Sequence, residues 1–535
     1  MRFRRRQLQF QKRQAELESP VQRQQQPRFA GAVGQMDDAE LFSMKNLYQA
    51  YGNCRRTKRG SRTALQFELH AEENLIKLQE ELKTRTYSPL PSTCFVTESP
   101  KPREIFAAHF RDRIVHHLLV GYLEPRWERQ FIHDSYACRK GKGTHAAVLR
   151  LQQFMRKVSH NSSMPAFYLH LDIRSFFVSI DKQILYDMLC RSEKNPEMAW
   201  LIGVVIFNNP AENPIKKGQL SLFEEIPKHK SLFYTEGRTG LPIGNYTSQF
   251  FANVYLNELD QFVKHRLKCR YYLRYVDDLV LLGNDRNELQ VWETAIKDFL
   301  TAHLRLELNR NVRRLASIHT GCNFLGYIVR PTHLTVRRRV VNNLKTKIIQ
   351  YQSRLAYRWN DFAVFKHEEK QVSKLHSVIA SYLGQFVHAE TYRLVCSLFQ
   401  RYWVLNRYFV MDGKVLKRLD QPHRFHTLSG QYRWFCWRYF QSIIFFQVGR
   451  YFEFYGRQGK IAQDFLHLRP GKSKLRLGVR TGFPVDQLEK YIRMALTIWH
   501  QVVLIRQTGR VSGYVMERRV HSIFTREMCL QKGKL

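Results

Sequence analysis

The chain has 535 residues, more than a single hydrophobic core can use, so about two to four domains are expected. Apolar residues make up 44% and aromatic residues 13%, enough to bury real cores. Lys and Arg number 86 against 46 Asp and Glu, a net charge of +40 that points to a polyanionic partner. Nucleic acid fits this charge better than a membrane, because no apolar run approaches the ~20 residues that a spanning helix needs.

Residues 1–40 open with MRFRRRQLQFQKRQ and continue Gln-rich. That composition predicts a basic flexible extension and, with no apolar stretch behind the charges, no secretory signal. The nine cysteines are scattered singly with no CxxC pair, which argues against a zinc ribbon or a disulfide framework and makes a reducing cytoplasm the expected compartment.

Folded sequence is expected from near Leu47, and residues 41–329 read as α+β: FYLHLDI (167–173), YYLRYV (271–276) and LVLLG (279–283) are strand-like, with amphipathic helices between them. Residues 208–236, rich in Pro, Asn and Gly, predict a long loop or insertion. After Ser248, Phe251, Tyr255, Leu259, Val263 and Leu267 repeat at helical spacing.

Within residues 330–430, the stretch 336–355 is expected to be a helix. In VRRRVVNNLKTKIIQYQSRL (336–355) an apolar stripe through Val340, Leu344 and Ile348 is flanked by Arg337, Arg338, Lys345 and Lys347. Such a flank is usually a solvated face, but the global charge shifts the reading toward phosphate contact. Aromatic and basic residues crowd into QYRWFCWRYFQ, which sets a domain boundary near 430 and leaves 431–535 as a C-terminal module.

The most informative stretch is RYVDDLVLLG (274–283). Adjacent carboxylates repel and are costly to desolvate, so a buried segment that keeps Asp277 and Asp278 points to a cation. A polar turn tip is the plainer alternative. Asp172, at the end of FYLHLD, supplies a third carboxylate if the two runs share a sheet. Asp277 and Asp278 are expected to form the turn between their flanking strands. Three converging carboxylates suit two Mg²⁺ ions about 3.5–4 Å apart, with Mn²⁺ as the alternative ion.

YVDD together with LDIRSFF resembles the catalytic motifs of reverse transcriptases, and further segments follow in that family's order over about residues 47–400. The resemblance implies a right-hand fingers and palm domain followed by a helical thumb, with Asp172, Asp277 and Asp278 as catalytic metal ligands. KPREIFAAHFRDRIVHHLL and SYACRKGKGTHAAV resemble the fingers motifs, which implies dNTP contact by Arg103, Arg139, Lys140 and Lys142, with Phe176 as a further nucleotide-binding candidate. The partners implied are template RNA, its cDNA product and dNTPs.

Within GRTGLPIGNYTSQ, the residues Ile243, Gly244, Ser248 and Gln249 resemble the template-contact motif of reverse transcriptases from diversity-generating retroelements. That resemblance implies adenine-directed misincorporation, fidelity determinants at these four positions and an accessory protein of the element. SYLGQFVHAETYRL is shared with antiphage-defence reverse transcriptases, which leaves defence as a rival. An RNA-binding scaffold without catalysis is the non-enzymatic one.

SIIFFQVGRYFEFYGRQGKIA (442–462) resembles the mismatch-recognition domain I of MutS, a small mixed α/β module. Tyr451 stands where that domain inserts an aromatic wedge, and Glu453 where it places a hydrogen-bond acceptor. PGKS lacks the first glycine of a phosphate-binding loop, so no ATPase is expected.

Overall fold

A computed structural model describes residues 40–56, 60–98, 101–419, 425–471, 477–512 and 515–526; the extension expected at the N-terminus lies outside the described residues up to position 39. The chain forms two compact units, each assembled from separate stretches. One takes residues up to 133, 173–266 and 297–307; the other takes 134–172, 267–296 and 308–535.

The first unit is built around the helix Phe110–Trp127, which buries Phe110, Ile114, Val115, Leu118, Leu119 and Leu123. Its buried residues, Asp112 and His116 among them, lie on nearly every side, so the helix is central. The helices Met44–Arg55 and Tyr246–Gln261 pack on it, the latter beginning two residues ahead of Ser248. The strands Thr93–Thr97 and Arg103–Ala107 pair antiparallel in this unit. Part of the expected loop over 208–236 is ordered here: Ile215–Lys216 adds to Thr93–Thr97 as a short parallel strand.

The second unit begins with α1 (Thr144–Val158) and a four-stranded antiparallel sheet of β1 (Phe167–Asp172), β2 (Tyr271–Tyr275), β3 (Asp278–Gly283) and β4 (Arg314–Ser317), in the order β2-β3-β1-β4. Alternation along the strands sends Tyr168, Leu273, Val280 and Leu282 to one face, where they meet Leu151, Met155 and Val158 of α1. The helix α2 (Arg338–Leu355) follows, with Val341, Leu344, Ile348 and Leu355 buried against later helices. Its stripe runs through Val341; Val340 is only partly covered.

The unit also carries a three-stranded sheet over 322–336, helices between 369 and 408 and a short hairpin over 409–418, and its largest sheet has seven strands. Its strands are β5 (Ala356–Trp359), β6 (Phe362–Lys366), β7 (Ile443–Val448), β8 (Tyr451–Tyr455), β9 (Arg480–Pro484), β10 (Gln501–Ser512) and β11 (Val515–Thr525), in the order β5-β6-β11-β10-β7-β8-β9. The helix α3 (Leu428–Arg438) covers one face with Tyr432 and Phe435 against Ile444 and Phe446. The helices α4 (Gly456–Leu466) and α5 (Leu488–Ile498) cover the other with Ala462, Leu466, Ile492 and Leu496. The hairpin β5–β6 therefore joins a sheet whose other strands lie after residue 440, through pairs such as Val364 with Phe524.

Candidate functional site

Strand pairing sets the geometry of the acidic edge. Asp172 is the cross-strand partner of Asp278, the last residue of β1 against the first of β3, so both carboxylates project to the same face. Asp277 precedes Asp278 and lies in the turn. That turn is Val276–Asp277 and not Asp277–Asp278 as the sequence suggested: Asp278 already pairs with Tyr275 as a strand residue. The difference arises at Val276, whose φ of +54° starts the turn one position early. A β-branched residue in that conformation is strained, and strain of this kind is retained where the surroundings fix it.

Each strand carboxylate has an orienting partner. Asn309 donates from its side-chain amide to Asp172 Oδ2 at 2.7 Å. His170 Nε2 stands 3.1 Å from Asp278 Oδ1, on the same sheet face. Below them Cys322 is fully buried, and burial, with the Asp278 charge adding to it, pushes its thiol well above the ordinary range. Arg274, fully buried in β2, donates to the Val276 carbonyl at 3.2 Å and so braces the turn.

Among the described residues, no three His, Cys, Asp or Glu side chains close on a common point as a metal cage. The donors at this edge are hard carboxylate oxygens, a set that suits Mg²⁺ held by one or two carboxylates with substrate phosphates completing the shell. By donor chemistry the residues fit the ion.

Residues 97–329 match the sequence model of the reverse transcriptase (RNA-dependent DNA polymerase) family. Residues 426–532 match that of MutS domain I. Protein YkfC of Escherichia coli K12 is similar at 23% identity over 319 residues, 53% of this chain and 78% of YkfC. The group II intron-encoded protein LtrA of Lactococcus lactis subsp. cremoris is similar at 22% over 357 residues, 53% of this chain and 55% of LtrA. The chain thus spans about half the length of LtrA.

The reverse-transcriptase-like segment places the other expected residues unevenly. Arg139, Lys140 and Lys142 lie in the second unit, in the turn before α1, where Gly141 and Gly143 take φ of +74° and +134°. Arg139 donates to the Ser135 carbonyl at 2.9 Å, and the Lys142 ammonium sits 4.8 Å over the Tyr136 ring. Burial, with Asp134 beside it, pushes the Tyr136 hydroxyl up to about 12, so it stays protonated.

Arg103, Phe176, Ile243, Gly244, Ser248 and Gln249 belong to the first unit. There the Phe106 N–H donates to the Ile243 carbonyl at 2.8 Å, and the Ala108 N–H to Asn245 Oδ1 at 3.2 Å, stitching the 243–249 segment to the strand that Arg103 begins. Gly244 has φ of +116°, and a Cβ there would stand 2.8 Å from Ile105 Cγ2, so only glycine fits.

Two of the expected site residues face inward in this unit. Phe176 is 2% exposed and packs inward; its neighbour Phe177, half-buried, is the ring that reaches the surface. Adjacent aromatics on a short helix cannot share a face, and the sequence alone did not say which turns in. Ser248 is buried on the inward side of its helix, whereas Gln249 is exposed.

Along α2 and its N-cap, Arg337, Arg338 and Lys347 are exposed and Lys345 is half-buried, flanking the buried stripe. In the MutS-I-like segment Tyr451 is 48% exposed at the start of β8. Glu453 is no surface acceptor: it is buried, ion-paired with Arg480 at 2.5 Å, and takes the hydroxyl hydrogen bond of Tyr455. Glu453 lies on the same face of β8 as Tyr451 and Tyr455, but there Arg480 and Tyr455 enclose it; burial together with Glu453 raises the Tyr455 hydroxyl well above its ordinary range.

No helix among the described residues is long and apolar enough to cross a membrane.

Proposed function

We propose that the chain is an RNA-directed DNA polymerase of right-hand plan, with residues 41–329 as fingers and palm and 330–430 as thumb, copying a template RNA into cDNA at a carboxylate edge made by Asp172, Asp277 and Asp278. The observation that carries this reading is the cross-strand pairing of Asp172 with Asp278 beside a strained turn that holds Asp277. Mg²⁺ held there by Asp172 and Asp277 would neutralise charge on the transferring phosphoryl group and favour ionisation of the attacking 3′-hydroxyl.

The chain's own residues supply position and charge. Asn309 holds the Asp172 carboxylate in one orientation, and His170 does the same for Asp278. The Arg139–Lys142 turn, with two glycines at positive φ and a helix starting behind it, suits the triphosphate of a dNTP. The exposed basic side of α2 suits the backbone of the template–product duplex.

The biology favoured is that of a diversity-generating retroelement. Ile243, aliphatic where a polar side chain would hydrogen-bond the nascent pair, removes one restraint on pairing geometry, and discrimination falls with it. The MutS-I-like module would then meet the product through Tyr451. Primer extension on an RNA template, with Asp277→Ala as the control, tests the catalytic reading: equal extension by the variant refutes it. Sequencing the cDNA tests the second step, with errors expected opposite template adenines; uniformly low error removes the diversifying reading and leaves the polymerase.

A further inference from the structure

Between the C-terminal end of α3, the first residues of β7 and the start of α4 lies a cleft of about 470 Å³. The rings of Tyr432, Phe440 and Trp499, the Ile461 side chain and the guanidinium groups of Arg433 and Arg457 line it. No carboxylate does so among the described residues. Arg433 and Arg457 are both exposed and make no ion pair among the described residues, so two cations stand beside the rings of Phe440 and Trp499 with nothing to neutralise them, while Tyr432, 4% exposed, forms the floor.

The helix α3 continues this chemistry outward. Tyr432 and Phe435 hold it to the sheet, and its opposite side carries Arg433 and, one turn on, Trp437, 74% exposed. Phe440, just past the helix end, is 77% exposed. Neither of these two rings adds to the core beneath. Large exposed aromatics grouped with arginines mark a binding surface, because leaving them in water has a cost that packing elsewhere does not offset.

We propose that this cleft and the Trp437–Phe440 edge hold a stretch of single-stranded nucleic acid, with bases stacked on the rings and phosphates on Arg433 and Arg457. Aromatic rings accept any base, and an arginine beside them adds both phosphate contact and cation–π attraction. A space of this size takes one flipped nucleotide. The two unneutralised arginines and the net charge of +40 favour a polyanion over a protein partner. The site is separate from the Asp172–Asp278 edge, and also from Tyr451, which lines a different pocket with Gln447, Arg450 and Pro484. It stands without the polymerase reading, since a chain lacking catalysis would present the same surface.

The test is photocrosslinking of the full chain to 12-nucleotide RNA carrying 4-thiouridine, and to DNA carrying 4-thiothymidine, followed by peptide mapping. Adducts are expected within residues 433–441 or at Trp499, and the stronger of the two arms identifies the strand. The Trp437→Ala/Phe440→Ala double variant should lose those adducts by about tenfold or more, as expected for two lost stacking contacts. Both rings are exposed, so its thermal unfolding should match the parent; Arg433→Glu/Arg457→Glu gives an independent loss through charge. Adducts confined to other segments, with equal yield in both variants, would overturn the proposal. So would a self-association that the double variant abolishes while crosslinking persists, because the surface would then be a protein contact.

Discussion

Asn309 grips Asp172 at two points. Its side-chain amide donates to Oδ2 at 2.7 Å, and its backbone N–H donates to the Asp172 carbonyl at the same distance. The backbone bond fixes where β1 ends, and the side-chain bond fixes which way the carboxylate faces once the strand has ended.

Removing only the side-chain bond separates these roles. Asn309→Ala should leave the strand end in place but free the carboxylate to rotate, and a hydrogen bond to a charged group contributes about 1.5–3 kcal/mol. Primer extension at saturating dNTP should fall by about tenfold or more with little change in melting temperature. Full activity in the variant would mean that Asp172 is held by other groups or is not used.

The acidic edge was legible in the sequence because strand alternation is local: FYLHLD and LVLLG each announce a buried strand, and a carboxylate at the end of each has one place to go. The one-residue shift of the turn was not legible, since nothing in the letters of Val276 announces a positive φ. Phe176 and Phe177 are chemically identical neighbours, and only tertiary packing chooses between them. Glu453 looked available because its neighbours are aromatic, but its partner Arg480 comes from another strand, 27 residues later. The aromatic crowd at QYRWFCWRYFQ lies within and just past α3, which begins at Leu428, yet the sheet that α3 covers also takes two strands from residues 356–366, and pairing at that separation leaves no periodic trace.

The helix Phe110–Trp127 should give the first unit an acid-sensitive stability. His116 is buried, its Nδ1 has no hydrogen-bond partner among the described residues, and burial, then His117 and Arg113, lower its pKa to about 3. The folded form therefore keeps this ring neutral while the unfolded chain protonates it below about 6.5. Stability from this group is present above that value and is lost as the pH falls toward 3, by about 2 kcal/mol between pH 7 and 5. Asp112 on the same helix, raised to about 6 by burial, acts in the opposite sense: the folded state takes up its proton first, so acid relieves its penalty between about 4 and 6. The difference between His116→Leu and the parent isolates the histidine. That gap in denaturation midpoint should widen as the pH is lowered from 7 to 5, and a constant gap would show that the ring charges without penalty.

Phe176 and Phe177 should separate stability from nucleotide use. Phe176→Ala empties a buried site and is expected to cost about 3–5 kcal/mol, read as a lower melting temperature. Phe177→Ala, at a half-buried ring, should cost much less and act instead on the KM for dNTP in primer extension. The reverse pattern would return Phe176 to the nucleotide site.

The hairpin β5–β6 should be necessary for the C-terminal sheet. Val364 is fully buried opposite Phe524 on the apolar face that α4 and α5 cover, Phe365 packs on the other face, and four residue pairs run from Ala363–Thr525 to Lys366–Ser522. A fragment starting at residue 426 would lose these strands and leave β11 as a long unpaired edge over an open apolar face, which invites self-association. A fragment starting at residue 337 keeps the hairpin and the whole of α2, whose Val341, Leu344 and Ile348 cover the helices that follow. The longer fragment should unfold cooperatively as a monomer, whereas the shorter should aggregate or melt well below it, measured by size-exclusion chromatography and circular dichroism. Matching melting curves for two monomeric fragments would mean that β5–β6 only leans on a sheet already complete without it. Val364→Asp in the longer fragment should reproduce the loss, because the carboxylate would be buried on an apolar face opposite Phe524 with no partner for its charge.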